Sequence, residues 1–135
     1  MLEYEVHATR RDGHSGTARC KAAELEMDID PAGRSDAFNP AELFLASIAA
    51  CMLKGIERVT PMLHFEVAGV DVRLKAVRQD APPRILSVTY ELMVDTSESD
   101  QRLELLHTNV RKYGTIFNTV AEAVHLTGTI GRAKN

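Results

Sequence analysis

The sequence predicts an α+β fold in which sheets and helices are grouped rather than alternating. Three observations lead there. Several stretches alternate apolar and polar side chains with a period of two, as half-buried strands do. The run Leu43 to Leu53 is apolar except for Ser47, at a length that suits a helix. Two further helical patterns stand side by side before a last strand. Strict βαβα alternation would have pointed to a parallel sheet. The 135 residues suit a single domain, 1–135. A chain of this size can bury a core without disulfide staples.

The elements follow in order. Leu2, Tyr4, Val6 and Ala8 alternate with Glu3, Glu5 and His7, predicting a first strand. Arg11-Asp12-Gly13-His14-Ser15-Gly16 is turn chemistry. Ala18, Cys20 and Ala22 then share one face, before Leu25, Met27 and Ile29 take the opposite parity. That switch predicts a bulge or strand break near Ala22-Ala23. A polar loop opens at Asp30-Pro31-Ala32-Gly33 and runs to Asn39. Asn39 suits a helix N-cap, and Pro40 suits the first helical position because its missing N–H has no partner there anyway. Glu42 favours the positive end of the helix dipole. The helix is expected to reach about Val59 and to end at Thr60-Pro61.

Phe65 to Ala76 predicts a long strand with a register change near Gly69. Asp80-Ala81-Pro82-Pro83 is the turn, and Leu86 to Val94 alternates cleanly back. Ser97 or Ser99 is placed to cap a second helix. Its apolar stripe is Leu103, Leu106, Val110 and Tyr113, and Gly114 would stop it as a left-handed residue. A short helix from Thr115 to Ala121 and a strand around Val124, Leu126 and Ile130 complete the chain. The long helix is apolar on every side between Leu43 and Leu53, so it is expected to be buried all round. One small domain with one sheet covers such a helix poorly. A second subunit would solve that, so a homodimer with this helix at its centre is expected.

Composition excludes several classes. Apolar residues make up 44% and charged residues 26%, as in ordinary globular chains. The net charge of −3 provides no basic surplus for nucleic acid or an anionic membrane. The longest apolar run falls well short of the ~20 residues needed to span a bilayer. MLEYEVHATRR has acids where a signal peptide needs a basic start and an apolar stretch. A cytoplasmic location is therefore expected, where Cys20 and Cys51 stay reduced. The five histidines show no HxH or HxxxH spacing, and no dinucleotide fingerprint appears, so neither metal nor cofactor is expected.

Cys51 is the residue that raises a chemical question. A buried free thiol usually acts as a small hydrophobe. A reactive one needs a cation or a helix N-terminus to stabilise its thiolate, and Cys51 lies about three turns into the helix, where the dipole offers little. Chemistry there needs an arginine from elsewhere in the fold. Cys20 lies on the apolar face of an early strand and reads as structural.

The stretch NPAELFLASIAAC, ending at Cys51, resembles the segment of the OsmC/Ohr superfamily (osmotically inducible protein C and organic hydroperoxide resistance protein) that carries the reactive cysteine. The element order resembles that fold over nearly the whole chain. Lys112-Tyr113-Gly114 with Asn118-Thr119 resembles the family's second-cysteine region. Arg11-Asp12-Gly13 resembles the turn that carries the catalytic arginine in the Ohr branch. The resemblance implies an OsmC-like fold, with antiparallel sheets packed around a long central buried helix in an intertwined homodimer whose sites lie at the subunit interface. It also implies a thiol peroxidase active in the oxidative stress response. In such an enzyme a cysteine thiolate attacks the distal oxygen of a hydroperoxide, an arginine stabilises the thiolate, a glutamate orients the arginine, and a second cysteine forms a disulfide that an external dithiol reduces.

Two departures qualify that chemistry. The glutamate that follows the proline in the family is Ala41 here. Glu42 is one step further on, rotated by about 100° around the helix, as in the YhfA-like branch. Gly114 stands where the second cysteine would be. The resemblance thus carries over Cys51 as attacking thiol and Arg11 as its cation. Arg34, in the loop before the helix, competes for that role, and Glu42 either pairs with an arginine or serves the helix dipole. Two functions are expected to compete. One is a single-cysteine peroxidase for organic hydroperoxides recycled by an external thiol. The other is a non-catalytic or redox-sensing module that binds a small apolar ligand at the dimer interface.

Overall fold

The structure, a computed structural model, describes residues 1–133. The elements are β1 His7–Arg10, β2 Ser15–Cys20, β3 Ala23–Asp28, α1 Pro40–Leu63, β4 Gly69–Gln79, β5 Arg84–Asp95, α2 Asp100–Tyr113, α3 Thr115–Ala121 and β6 His125–Arg132. This is the α+β grouping that the sequence predicts. The chain divides into two compact units, Met1–Phe44 and a second that starts at Leu45.

The first unit is an antiparallel sheet of order β1-β2-β3. The parity switch after Cys20 is a hairpin: Cys20 pairs with Ala23 across Lys21-Ala22, and Lys21 takes the left-handed conformation at φ 57. The first strand starts at His7 rather than Leu2. Leu2, Tyr4 and Val6 alternate as a strand would but are exposed. Alternation shows that a segment suits a sheet; a ladder also needs a neighbouring strand with free N–H and C=O groups. Asp28, 3% exposed, organises the following loop by accepting from the Asp30 and Arg34 amides at 2.9 Å each.

Helix α1 begins in the first unit and continues into the second. Asn39 and Glu42 close its start reciprocally: the Glu42 amide donates to Asn39 Oδ1 at 2.8 Å, and the Asn39 amide donates to Glu42 Oε1 at 2.9 Å. This capping box satisfies two otherwise orphaned donors. The helix runs past the expected stop at Thr60-Pro61, with Pro61 inside its last turn. The stop is instead a paired C-terminal closure. The Phe65 amide reaches Thr60 O at 2.9 Å, the His64 amide reaches Pro61 O at 3.3 Å, and His64 adopts φ 51. Arg102 Nη2 also donates to Leu63 O at 2.6 Å.

The expectation of a helix buried all round is not met in the single chain. Ile48, Met52, Gly55, Ile56, Val59 and Thr60 are buried, whereas Leu53 and Met62 are exposed. The elements of one chain cover one stripe of a cylinder and leave the opposite stripe open.

In the second unit, β4 pairs antiparallel with β5, and β6 pairs parallel with β5. The sheet is therefore mixed, which corrects the expectation of purely antiparallel sheets. Two helices intervene between β5 and β6, and such a crossover brings a strand back in the same direction. The irregularity expected near Gly69 in β4 lies instead between Val77 and Arg78. Val88, Tyr90, Leu92 and Val94 on β5 face the core with Leu103, Leu106 and Val110 of α2, Phe117 and Val120 of α3, and Leu126 of β6. Each such side chain contributes roughly 1.5–3 kcal/mol by leaving water. No helix among the described residues is long and apolar enough to cross a membrane.

Candidate functional site

Cys51 is a free, half-buried thiol on α1. Its surroundings follow from two glycines. A β-carbon built on Gly55 would lie 3.3 Å from Val110 Cγ1, so the missing side chain lets α1 and α2 approach closely. One turn earlier on α1, Cys51 meets Gly114, where a β-carbon would lie 3.0 Å from Cys51 Sγ, 3.1 Å from Phe117 Cβ and 3.3 Å from Val110 O. Gly114 was expected to stop α2 as a left-handed residue. It is extended instead, at φ −82 and ψ 116, and caps α3 through its carbonyl, which accepts from the Asn118 amide at 2.9 Å. Glycine is needed there for space, not for conformation: any side chain would meet the sulfur.

Behind this corner lies a buried polar network. Tyr90, 3% exposed, bonds through Oη to His107 Nε2 at 2.6 Å and accepts from Arg111 Nη1 at 2.8 Å. The Arg111 guanidinium stacks 4.6 Å from the centre of the Phe117 ring, which meets Tyr90 edge-on at 6.2 Å. Burial pushes the Tyr90 phenol up, and burial together with the Arg111 charge pushes His107 down from its ordinary value. The imidazole is therefore neutral near pH 7. Arg111 can only donate, so Tyr90 Oη accepts that bond, while the direction of the Tyr90–His107 bond follows the imidazole tautomer. Tyr90 lies across from Gly128 on β6, and a β-carbon there would collide with the ring.

The other predicted site residues belong to the first unit. Arg34 is held on all sides. Nε reaches Asp36 at 2.8 Å, Nη2 reaches Glu26 at 2.9 Å, and Nη1 reaches Ser15 Oγ at 2.7 Å. These carboxylates raise its already high pKa, and Arg34 in turn holds Asp36 below the usual carboxylate range. Arg11 is exposed and stands 3.9 Å from the same Glu26. Glu42 is spent on the capping box. Cys20 lies at the β2–β3 turn, half-buried and free. Among the described residues, Cys51 has no hydrogen-bond or ion-pair partner, and no cluster of three His, Cys, Asp or Glu is placed to hold a metal ion.

Tyr90, His107, Arg111 and Phe117 escape a reading of the sequence alone. Tyr90 is one more alternating strand residue there, and His107 is one of five scattered histidines. The available signal is His107 on the stripe of Leu103 and Val110, with Arg111 four residues on, where both side chains share a helix face.

The family model described as OsmC-like protein matches residues 32–128. That span includes Arg34, Glu42, Cys51 and Gly114 and leaves Arg11 outside. A search of curated proteins finds no match. Among solved structures, an OsmC-like protein from Mycoplasma pneumoniae superposes with a TM-score of 0.90 at 16% identity, covering 98% of this chain and 99% of its own. An organic hydroperoxide resistance protein OsmC from Legionella pneumophila does so at 0.73 and 19% identity, covering 97% and 99%. OhrB of Bacillus subtilis, an organic hydroperoxide resistance protein, reaches 0.69 at 17% identity, covering 96% and 98%. At these identities the likeness speaks for the fold. The family match spans most of the sequence and contains the Asn39-to-Cys51 helix; the chain belongs to the OsmC-like protein family.

Proposed function

We propose that this chain is a thiol-dependent peroxidase that reduces organic hydroperoxides through Cys51 as its single attacking thiol. The observation that carries the reading is the placement of Cys51, a free thiol left part-exposed where Gly114 makes room for its sulfur. Solved relatives of the same fold are named organic hydroperoxide resistance proteins. In the reaction, the Cys51 thiolate attacks the distal oxygen of ROOH and the O–O bond breaks. The alkoxide takes a proton and leaves as ROH, and the sulfur becomes a sulfenic acid. An external thiol then displaces water to form a mixed disulfide. A second thiol releases the Cys51 thiolate and carries away the oxidised disulfide, which completes a two-electron cycle.

The working form on this reading is a homodimer. Leu53 and Met62, on opposite flanks of the buried stripe of α1, and exposed Leu2, Tyr4, Val6 and Phe38 are apolar side chains that a second subunit would cover. Its substrate is a small apolar hydroperoxide, its reductant is an external thiol, and its setting is the cytoplasmic response to oxidative stress. Turnover of cumene hydroperoxide with a dithiol reductant tests the enzyme. Loss of turnover in Cys51→Ser is expected, and turnover that survives the substitution ends the reading. Light scattering tests the dimer.

A second reading has its own support. Arg34 and Arg11 are both drawn to carboxylates, Ala41 replaces the family glutamate, and Gly114 provides no second thiol. These facts favour a non-catalytic or redox-sensing module with an apolar ligand at its dimer interface, in which Cys51 is a slow sensor or a packing residue. Rapid sulfenate formation on Cys51 at low peroxide, followed by mass spectrometry, decides against it.

A further inference from the structure

We infer that Arg111 is a positioning residue for Cys51, acting through Phe117. The inference rests on Cys51 being the attacking thiol. Three observations converge on it. Phe117 Cβ and Cys51 Sγ lie 3.1 and 3.0 Å from the point where a Gly114 side chain would begin, so both border the space that Gly114 leaves open. The Phe117 ring is fixed from two directions, by the Arg111 guanidinium at 4.6 Å and by the Tyr90 ring at 6.2 Å. Arg111 is itself anchored at Tyr90 Oη by a 2.8 Å hydrogen bond, and Tyr90 is anchored by His107.

Arg111 differs from Arg34 and Arg11 in what holds it. Its partners are a neutral hydroxyl and an aromatic face, and among the described residues it has no ion pair with a carboxylate. A planar guanidinium can stack and donate at once, which an ammonium cannot do. The network therefore sets the position of the α2–α3 corner against the sulfur. It leaves the chemistry at Cys51 to the thiol and its substrate. A loosened Phe117 would change how a bulky hydroperoxide reaches Sγ more than how a small one does.

The test measures Cys51 oxidation by hydrogen peroxide and by cumene hydroperoxide in the full chain, with the sulfenate trapped and quantified by mass spectrometry. Arg111→Met, Arg111→Lys and Tyr90→Phe are compared with the parent at temperatures where circular dichroism shows each folded. Arg111→Met is expected to slow the cumene hydroperoxide reaction by about ten- to a hundredfold, the scale of a misplaced reacting group. The hydrogen peroxide rate is expected to change less, so the ratio of the two rates shifts. Arg111→Lys restores part of the ratio, and Tyr90→Phe falls between the two. An unchanged ratio in all three folded variants overturns the inference. If the parent Cys51 reacts with neither peroxide, the peroxidase reading fails separately. Positioning is then read from Cys51 alkylation by iodoacetamide against N-phenylmaleimide: a shifted ratio in Arg111→Met upholds it, and an unchanged ratio overturns it.

Discussion

The two units of this chain are held together by different physics. The first, up to Phe44, is stitched by polar contacts: Arg34 across Glu26 and Asp36, His14 on Asp30 at 2.6 Å, and Asp28 on two amides. Its buried residues are Gly16, Thr17 and Asp28, while Leu25, Ile29 and Phe38 are exposed. The second unit is a core of aliphatic and aromatic side chains around the buried polar network of Tyr90, His107 and Arg111. A three-stranded sheet without an apolar core is marginal by itself, and exposed ion pairs contribute little. In the first unit, Arg34 is committed to the loop carboxylates. The second unit contains the thiol.

Substitutions and acid test this contrast. The largest effect is expected from Gly128→Ala, because its methyl group collides with a Tyr90 ring held by two hydrogen bonds and two aromatic contacts. A loss of about 3 kcal/mol is expected, at the upper end of ordinary overpacking, measured by urea denaturation. A near-neutral result would mean that the second unit is looser than its packing implies. Gly114→Cys comes next. A β-carbon 3.0 Å from Cys51 Sγ stands where a disulfide needs it. Mild oxidation should join the two thiols and raise stability by about 2–3 kcal/mol over the reduced variant. Thiol titration and intact mass read the bond, and a folded variant that keeps both thiols free contradicts the placement of the corner.

Thr17→Val probes the first unit. Thr17 is buried, and among the described residues its hydroxyl has no partner. Removing it should raise stability by about 1 kcal/mol, since an unmet buried donor is costly. A loss instead would show that another surface bonds to it in the assembled protein.

Acid should act on the two units at different pH. His107 is held below its ordinary 6.5, so the unfolded chain takes up the proton first. Stability is full above about 6.5 and falls as the pH drops from there towards the folded value. The depressed carboxyls of Asp30 and Asp36 contribute stability above their ordinary 3.8, and it is lost as the pH falls through their lower folded values. Hydrogen exchange should thus report loosening around Tyr90 first and around Arg34 only at lower pH; the reverse order would contradict the assignment. The smallest effect is expected from Arg11→Ala, whose ion pair with Glu26 is long and exposed: no measurable change in melting temperature.

Local signals made much of this legible from residues alone. The Asn39-Pro40 start, the strand break near Ala22-Ala23 marked by a parity switch, the clean alternation of β5 and the position of Cys51 all depend on neighbours within a few residues, where backbone sterics and capping decide. Fold class and family followed from them. What stayed hidden depends on partners distant in sequence. The first strand lost Leu2 to Val6 because alternation cannot say whether a neighbouring strand is present. Gly114 looked like a helix stop and, by resemblance, the place of a second cysteine; the packing of α1 against α2 showed that its missing side chain leaves room for the Cys51 sulfur.

By itself, then, the sequence determined the order and type of the elements, the family and the candidate thiol, since short-range propensities and spacing encode those. The tertiary structure alone decided that Arg34 is committed to carboxylates, that Glu42 closes a helix, that β6 runs parallel, and that Tyr90, His107, Arg111 and Phe117 form one network. Those outcomes depend on which charge or ring another residue meets in space, and no local pattern along the chain carries that information.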